Sequence, residues 1–390
     1  MILYSFVFLY TAVIYLLNTF NPVLFGKFFQ NACIKINPLQ PGNRIGKLYG
    51  ISITCADDFH AAANYFLILN MKLLQKILTK LNGLHFPQEY LCFAKESFPD
   101  PLHVYLVNNK RIVKDITSQH LFVGYCPLVF AFSLSDLPPS IQIIFSPQVL
   151  QPNEIFTAKD ALATLELSLI KKQHHDGTDI VYYEVTNGIH HFLPAFHQYI
   201  SSLNNQWYNK KPGNVFLHDN LYKQVQIAYA VPRLISLITV GGNDLFNLFP
   251  TDLHGQADET HYIISLRTGG KACKQVEAAG KLLVSQMHSQ AYKMVYGLGK
   301  NHMQDLKTKD NFPFGQALSE EFMLPLPEQA ESYKELELAD SFIHGIHTIM
   351  LFKIVMSSQL EPENDTLVHI HNSYATWRYK NKLQGNYLLR

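Results

Sequence analysis

The chain has 390 residues, 47% hydrophobic and only 16% charged, which excludes a disordered or fibrous protein and is long enough for about two domains. Its formal net charge is +1 without a cluster of Lys and Arg, which excludes a nucleic-acid binder that works through a broad basic surface. The five cysteines, Cys33, Cys55, Cys92, Cys126 and Cys273, are scattered and never spaced CxxC, so they read as reduced thiols and not as a zinc site or a disulfide framework.

Residues 1–26 carry no charged side chain, and residues 2–17 are almost wholly apolar. A spanning helix needs roughly 20 apolar residues, reached here only by including Asn18, Asn21 and Pro22. No positive charge precedes the run, as a cleaved signal requires. Lys27, Lys35, Arg44 and Lys47 follow it, so an inserted helix leaves the remainder cytoplasmic. Three readings stay open: a membrane anchor with the domains facing the cytoplasm, a translated upstream stretch, or a buried helix that never meets lipid.

Pro38, Pro41, Gly42 and Gly46 punctuate a linker, after which residues 45–210 read as a mixed α/β domain of unknown role. The apolar spacing from Asp57 to Leu81 predicts a helix. His103 to Val113 predicts a hairpin turning at Asn108-Asn109. Pro127–Leu134 and Ile141–Phe145 predict a strand pair, and Thr157 with Asp160 predicts a helix start running to Lys172. A strand over 179–185 and a helix from Leu193 follow. The pairs His174-His175 and His190-His191 read as solvent-facing. No chemical motif stands out here, and no internal repeat relates this half to the next.

WYNKKPGN, residues 207–214, marks the boundary. Beyond it QVQIAYA, RLISLITV, THYIISLR and TIMLFKIV read as short strands, and Gly270 to His288 as a helix. Residues 215–390 therefore predict an antiparallel barrel with one or two packed helices, giving an α+β chain overall. Among the 18 histidines, only His369-x-His371 puts two imidazoles on one strand face, and no Cys or carboxylate stands at ligand spacing, so no metal site is expected. GxSxG, GxxxxGK[ST] and GxGxxG are all missing, which removes the commonest hydrolase, P-loop and Rossmann readings.

PRLISLITVGGNDLFNLFPTDLHG, with Pro232, Gly241-Gly242, Asn247, Pro250 and Thr251, resembles the opening of flavin-reductase-like proteins of the FMN-binding split-barrel superfamily. THYIISLRTGGKACKQVEAAGKLLVSQM resembles that family's strand, phosphate-contacting loop and helix. GIHTIMLFKIV matches its Gly-x-His strand at Gly345 and His347, and HNSYATWRYKNKLQGNY resembles its aromatic, basic tail. Two departures are Ser285, where the family has Asn, and Asp252, where many relatives have Ser or Thr. The resemblance implies a C-terminal split β-barrel and a homodimer with flavin at the subunit interface. It further implies an NAD(P)H-dependent flavin reductase with FMN as cofactor, or alternatively a non-catalytic FMN- or haem-binding module whose first domain recognises a partner.

FMN needs a home for its phosphate and hydrogen bonds to its ring edge. Ser265, Arg267, Thr268 and Lys271 offer hydroxyls and cations beside Gly269-Gly270, whose amides can approach closely before a helix start. Asn247, Pro250 and Thr251 follow a strand and a Gly turn where they can meet the ring edge, and His347 is the candidate near the ring or nicotinamide. Taken alone, each segment is also what an ordinary strand-leaving turn contains.

Overall fold

The computed structural model describes residues 79–390 apart from 135–136, 158, 210–216, 218–219, 363–364, 384, 386 and 388–390. The apolar N-terminal segment and nearly all of the helix expected from Asp57 lie outside the described residues. Among the described residues no helix is long and apolar enough to cross a membrane. None of Cys92, Cys126 and Cys273 is in a disulfide.

The described chain is mostly β with few helices. Its first half holds β1 (Tyr90–Ala94), β2 (His103–Asn108), β3 (Arg111–Asp115), β4 (His120–Gly124), β5 (Val129–Phe132), β6 (Ser140–Ser146), β7 (Ala163–His175) and β8 (Thr178–His190), then α1 (Ala195–Tyr208) and α2 (Leu221–Ala228). Next come β9 (Arg233–Leu234), β10 (Ser236–Gly242), β11 (Leu245–Thr251), β12 (His254–Gln256), β13 (His261–Arg267), α3 (Lys271–Ala279), β14 (Lys281–Met287) and α4 (Tyr292–Gly297). Short strands β15 (Lys307–Thr308), β16 (Phe314–Leu318) and β17 (Pro325–Pro327) lead to the long hairpin of β18 (Ala330–His344) and β19 (His347–Gln359). The chain then runs through β20 (Leu367–His371) and α5 (Asn372–Lys380).

Four expectations are corrected by physical causes visible in the packing. Thr157 and Asp160 do bond, at 2.7 Å, but they close a turn, and the following Leu165 and Leu167 alternate with exposed or half-buried Thr164 and Glu166 along strand β7. QVQIAYA is largely helix α2, buried nearly all round: Gln226 binds His190 at 2.9 Å and Gln224 reaches Asn220, so the polar half of an apparent alternation is also inside. The helix expected to reach His288 stops at Gly280, which takes φ +64° and donates its N–H to Val276, and KLLVSQM becomes a central strand between β10 and β18. His190 is fully buried against Phe192, and burial lowers its pKa to about 3. The hairpin turn falls on Asn109 and Lys110, both at positive φ, and β5 and β6 form as expected but pair with other strands and not with each other.

The described residues form four sheets, of which β16-β17 is a lone two-stranded pair. The first has strand order β3-β2-β6-β7-β8-β5-β4, the second β12-β13-β19-β18-β14-β10-β11-β15, and a small third β1-β20-β9. Read from β11 back to β12, the second sheet repeats the first, strand for strand in chain order. The expectation of no internal repeat is thereby overturned at the level of topology. The first sheet closes on Val104, Phe130, Phe145, Leu165 and Tyr183, joined by α2 and by Val368 and Ile370 of β20. The second closes on Ile238, Phe249, Ile264, Val284 and Met350 with Cys273 and Val276 of α3. Each such large apolar side chain contributes about 1.5–3 kcal/mol when fully buried.

Candidate functional site

Strand β13 alternates its side chains between two buried environments and ends at Arg267, paired with His347, the first residue of β19. From Arg267 the chain turns through Thr268-Gly269-Gly270 into α3, while β11 leaves the sheet at Pro250-Thr251. These ends converge on a cavity of about 320 Å³ lined by Pro250, Thr251, Asp252, Ser265, Arg267, Gly270, His302 and His347, among others.

One end of this cavity carries an unpaired cation and free helix amides. The Arg267 guanidinium is exposed and has no hydrogen-bond or ion-pair partner among the described residues. Helix α3 begins at Gly270 without a side-chain cap, leaving its first amides available to a ligand. A Cβ on Gly270 would stand 3.1 Å from the Arg267 carbonyl and 3.5 Å from that of His302, so glycine allows the close turn there, and around Gly269 there is open space. Thr268 donates its N–H to Ile346 at 3.0 Å and shares a hydroxyl contact of 3.1 Å with Thr348. Lys271 points instead to Asp305, at 2.6 Å on the surface.

The other wall is polar but mostly uncharged. His347 Nδ1 and Ser265 Oγ share a hydrogen bond of 2.9 Å, and burial, with help from the Arg267 charge, lowers the imidazole pKa to about 4. His302 donates to the Pro250 carbonyl at 2.8 Å, and burial lowers its pKa as well. Both rings are therefore neutral at pH 7. Asp252 is the exception. Burial alone would raise its pKa, but the His369 imidazole, with Nε2 3.0 Å from the carboxylate, and a hydrogen bond from Tyr229 at 2.8 Å outweigh that and hold the carboxylate down at about 2. His369 in turn meets the Tyr296 hydroxyl at 2.9 Å and stacks on Tyr90, so β20 reaches this site from the first half of the chain's packing.

Solved flavin reductases and FMN-binding proteins resemble part of this chain. An NADH:FAD oxidoreductase of Streptomyces globisporus aligns at 14% identity over 42% of this chain and 96% of its own, with a TM-score of 0.35. The flavin reductase component of a bacterial two-component tryptophan halogenase aligns at 16% identity over 38% and 91%, with a TM-score of 0.34. An FMN-binding protein from Thermus thermophilus aligns at 17% identity over 38% and 76%, with a TM-score of 0.29. No family model matches the chain, and neither does any curated protein sequence.

Of the residues singled out in the sequence, the cavity gathers Pro250, Thr251, Ser265, Arg267 and His347. Asn247 lies behind it, fully buried, bracing β11 by donating to Gln275 at 2.7 Å and to the Asn301 carbonyl at 3.0 Å. Ser285 is buried on β14 with its hydroxyl unpartnered. His302 escaped the sequence reading: it sits in GKNHMQ, a stretch with neither periodicity nor motif, and only the fold carries it beneath Pro250. An unpaired guanidinium, uncapped helix amides and adjacent glycines are groups that suit a phosphate, so the residues present fit the phosphate of a flavin nucleotide.

Proposed function

We propose that the chain is a flavin-binding oxidoreductase that holds FMN in the cavity between β11, β13, α3 and β19 and takes reduced nicotinamide as co-substrate. The observation that carries this reading is the unpaired Arg267 guanidinium beside the uncapped, glycine-lined start of α3, at the position where the sequence resembles the family's phosphate loop. Arg267, the Thr268 hydroxyl and the α3 amides would hold the phosphate, while Thr251, Ser265 and His347 would offer neutral hydrogen bonds to the ring edge. When bound, FMN supplies an electron-accepting ring that exchanges hydride with the nicotinamide. The chain's own residues then bind, orient and exclude water, and a neutral His347 suits that task because it can hydrogen-bond the ring edge without placing a second positive charge beside Arg267.

The test is an absorbance spectrum of the purified chain reconstituted with FMN, followed by NAD(P)H oxidation in air. Oxidised-flavin bands with turnover support the reading. Bands without turnover favour the non-catalytic flavin module, and no flavin retention refutes both.

A further inference from the structure

The two large sheets agree in far more than strand order. Hairpins β7–β8 and β18–β19 each skip one residue on each strand, Ile170 and Thr186 in the first and Ala339 and Val355 in the second, and the skipped residues lie equally far from the two turns. In that register Glu166, Leu167, Leu169 and Ile180 coincide with Glu335, Leu336, Leu338 and Ile349. The neighbouring strands keep step. Ala131 faces Tyr182 as Ile263 faces Leu351, Leu106 faces Ile143 as Ile238 faces Val284, and His120 faces Phe132 as His254 faces Ile264. The same strand order, the same two bulges in the long hairpin and the same pairings beside it mark one module present twice.

The copies also meet through corresponding faces. Val129, Ala131, Ile180 and Tyr182, on the outer side of β5 and β8, form one apolar cluster with Ile263, Ile349 and Leu351 on the outer side of β13 and β19. Equivalent patches meeting each other is the mark of a two-fold, isologous contact, the arrangement that two identical subunits adopt. Against this cluster the corresponding residues Leu121 and Gly255 touch. A Cβ on Gly255 would lie 2.5 Å from Leu121 Cδ2, so a leucine on one copy fills the space that the glycine leaves on the other.

Only one copy keeps the anion site. Between β13 and β14 the second module carries Thr268-Gly269-Gly270 and α3, whereas residues 133–139 between β5 and β6 contain no helix among the described residues, and counting along the sequence from the matched strands gives Ser135 where the second copy has Arg267. The first copy instead supports the surviving site. The Cys126 carbonyl accepts the Ile346 N–H at 3.3 Å, and the Ile346 carbonyl accepts the Thr268 N–H at 3.0 Å, so a backbone bridge runs from the first module to the anion loop.

We infer that residues 103–190 are a second copy of the module that has lost its own anion site and serves as the built-in partner of residues 236–359, so that one chain is a complete unit with a single flavin. This replaces the homodimer implied by the sequence resemblance with a pair inside one chain, and its flavin count rests on the reading proposed above.

Two measurements on the full chain test it. The first is sedimentation with flavin absorbance, where a monomer near 44.6 kDa carrying about one FMN is expected. Two FMN per chain, or FMN held only by a dimer, would overturn the inference. The second measures thermal stability of Gly255→Leu and of the exchanged pair Leu121→Gly with Gly255→Leu. The single change is expected to lower Tm by roughly 3–6 °C through overpacking, and the exchange to recover most of that loss. If Gly255→Leu does not fold, Gly255→Ala brings the same Cβ against Leu121 and replaces it in the comparison. Equal losses in the single and exchanged variants would overturn the pairing. A chain that is monomeric, recovers stability on exchange and binds no FMN would keep the pairing and refute the flavin reading alone.

Discussion

Replacing Arg267 with Ala tests the phosphate assignment most directly, because the guanidinium has no partner within the described chain whose loss would disturb the fold. A charge-assisted hydrogen bond to a phosphate contributes about 1.5–3 kcal/mol. Arg267 is exposed, so solvent screening argues for the lower part of that range. At about 1.4 kcal/mol per decade this corresponds to a rise in the FMN dissociation constant of about tenfold to a hundredfold, nearer tenfold at physiological salt. Quenching of flavin fluorescence during titration reads the constant, and riboflavin, which has the ring without the phosphate, is the control. Riboflavin affinity should be nearly unchanged, and the wild-type preference for FMN should shrink as salt rises. Equal losses for both flavins, or none for FMN, would show that the phosphate lies elsewhere.

Lys271→Ala should weaken FMN binding less than Arg267→Ala in the same titration, because its ammonium is engaged by Asp305, and the exposed ion pair should cost less than about 1 kcal/mol of stability. Asp252→Asn removes the charge that holds His369 and Tyr229 together and should lower the unfolding free energy by about 1.5–3 kcal/mol in a urea titration; an unchanged midpoint would show that the network contributes nothing net. Burial lowers the pKa of His120, His254 and His347 to about 4 and of His190 to about 3. The unfolded chain therefore takes up protons near pH 6.5 that the folded chain refuses, so this stability is complete above pH 6.5 and is lost as pH falls towards 4. Each withheld proton adds about 1.4 kcal/mol per pH unit to the slope. Thermal melts of His190→Gln across that range should show a correspondingly shallower decline, and an unchanged slope would place the acid sensitivity elsewhere.

Strands whose signals are local could be read from the sequence. RLISLITV, THYIISLR and TIMLFKIV are β-branched and apolar, and they appear as β10, β13 and β19. Arg267 was visible because an alternating strand ends there and two glycines follow. KLLVSQM was misread for the reason that also makes it central: a strand buried on both faces has no alternation, so the run after α3 looked like more helix. The partnership of Asp252 with His369 was invisible, since it depends on β20 returning to lie between β1 and β9, a long-range pairing that no local pattern encodes.

The repeat was hidden by the same changes that divide the labour between the copies. Its most repetitive segment, the long hairpin, retains ELSL in one copy and ELEL in the other, and both copies bury the first leucine, Leu167 and Leu336, beside a bulge. Where the copies diverge, the physical demands differ. Leu121 against Gly255 makes the two faces complementary to each other, and two copies of the first face would place leucine on leucine at the axis. The segment joining β13 to β14 has Gly269-Gly270 followed by α3, whose first amides are free of a side-chain cap. The corresponding segment joining β5 to β6 has Pro138-Pro139, which supply no N–H to an anion. A comparison that weighs all positions equally averages these conserved and divergent segments and finds little, whereas the spacing of the bulges from each turn survives because shifting either one would turn every following side chain to the wrong face.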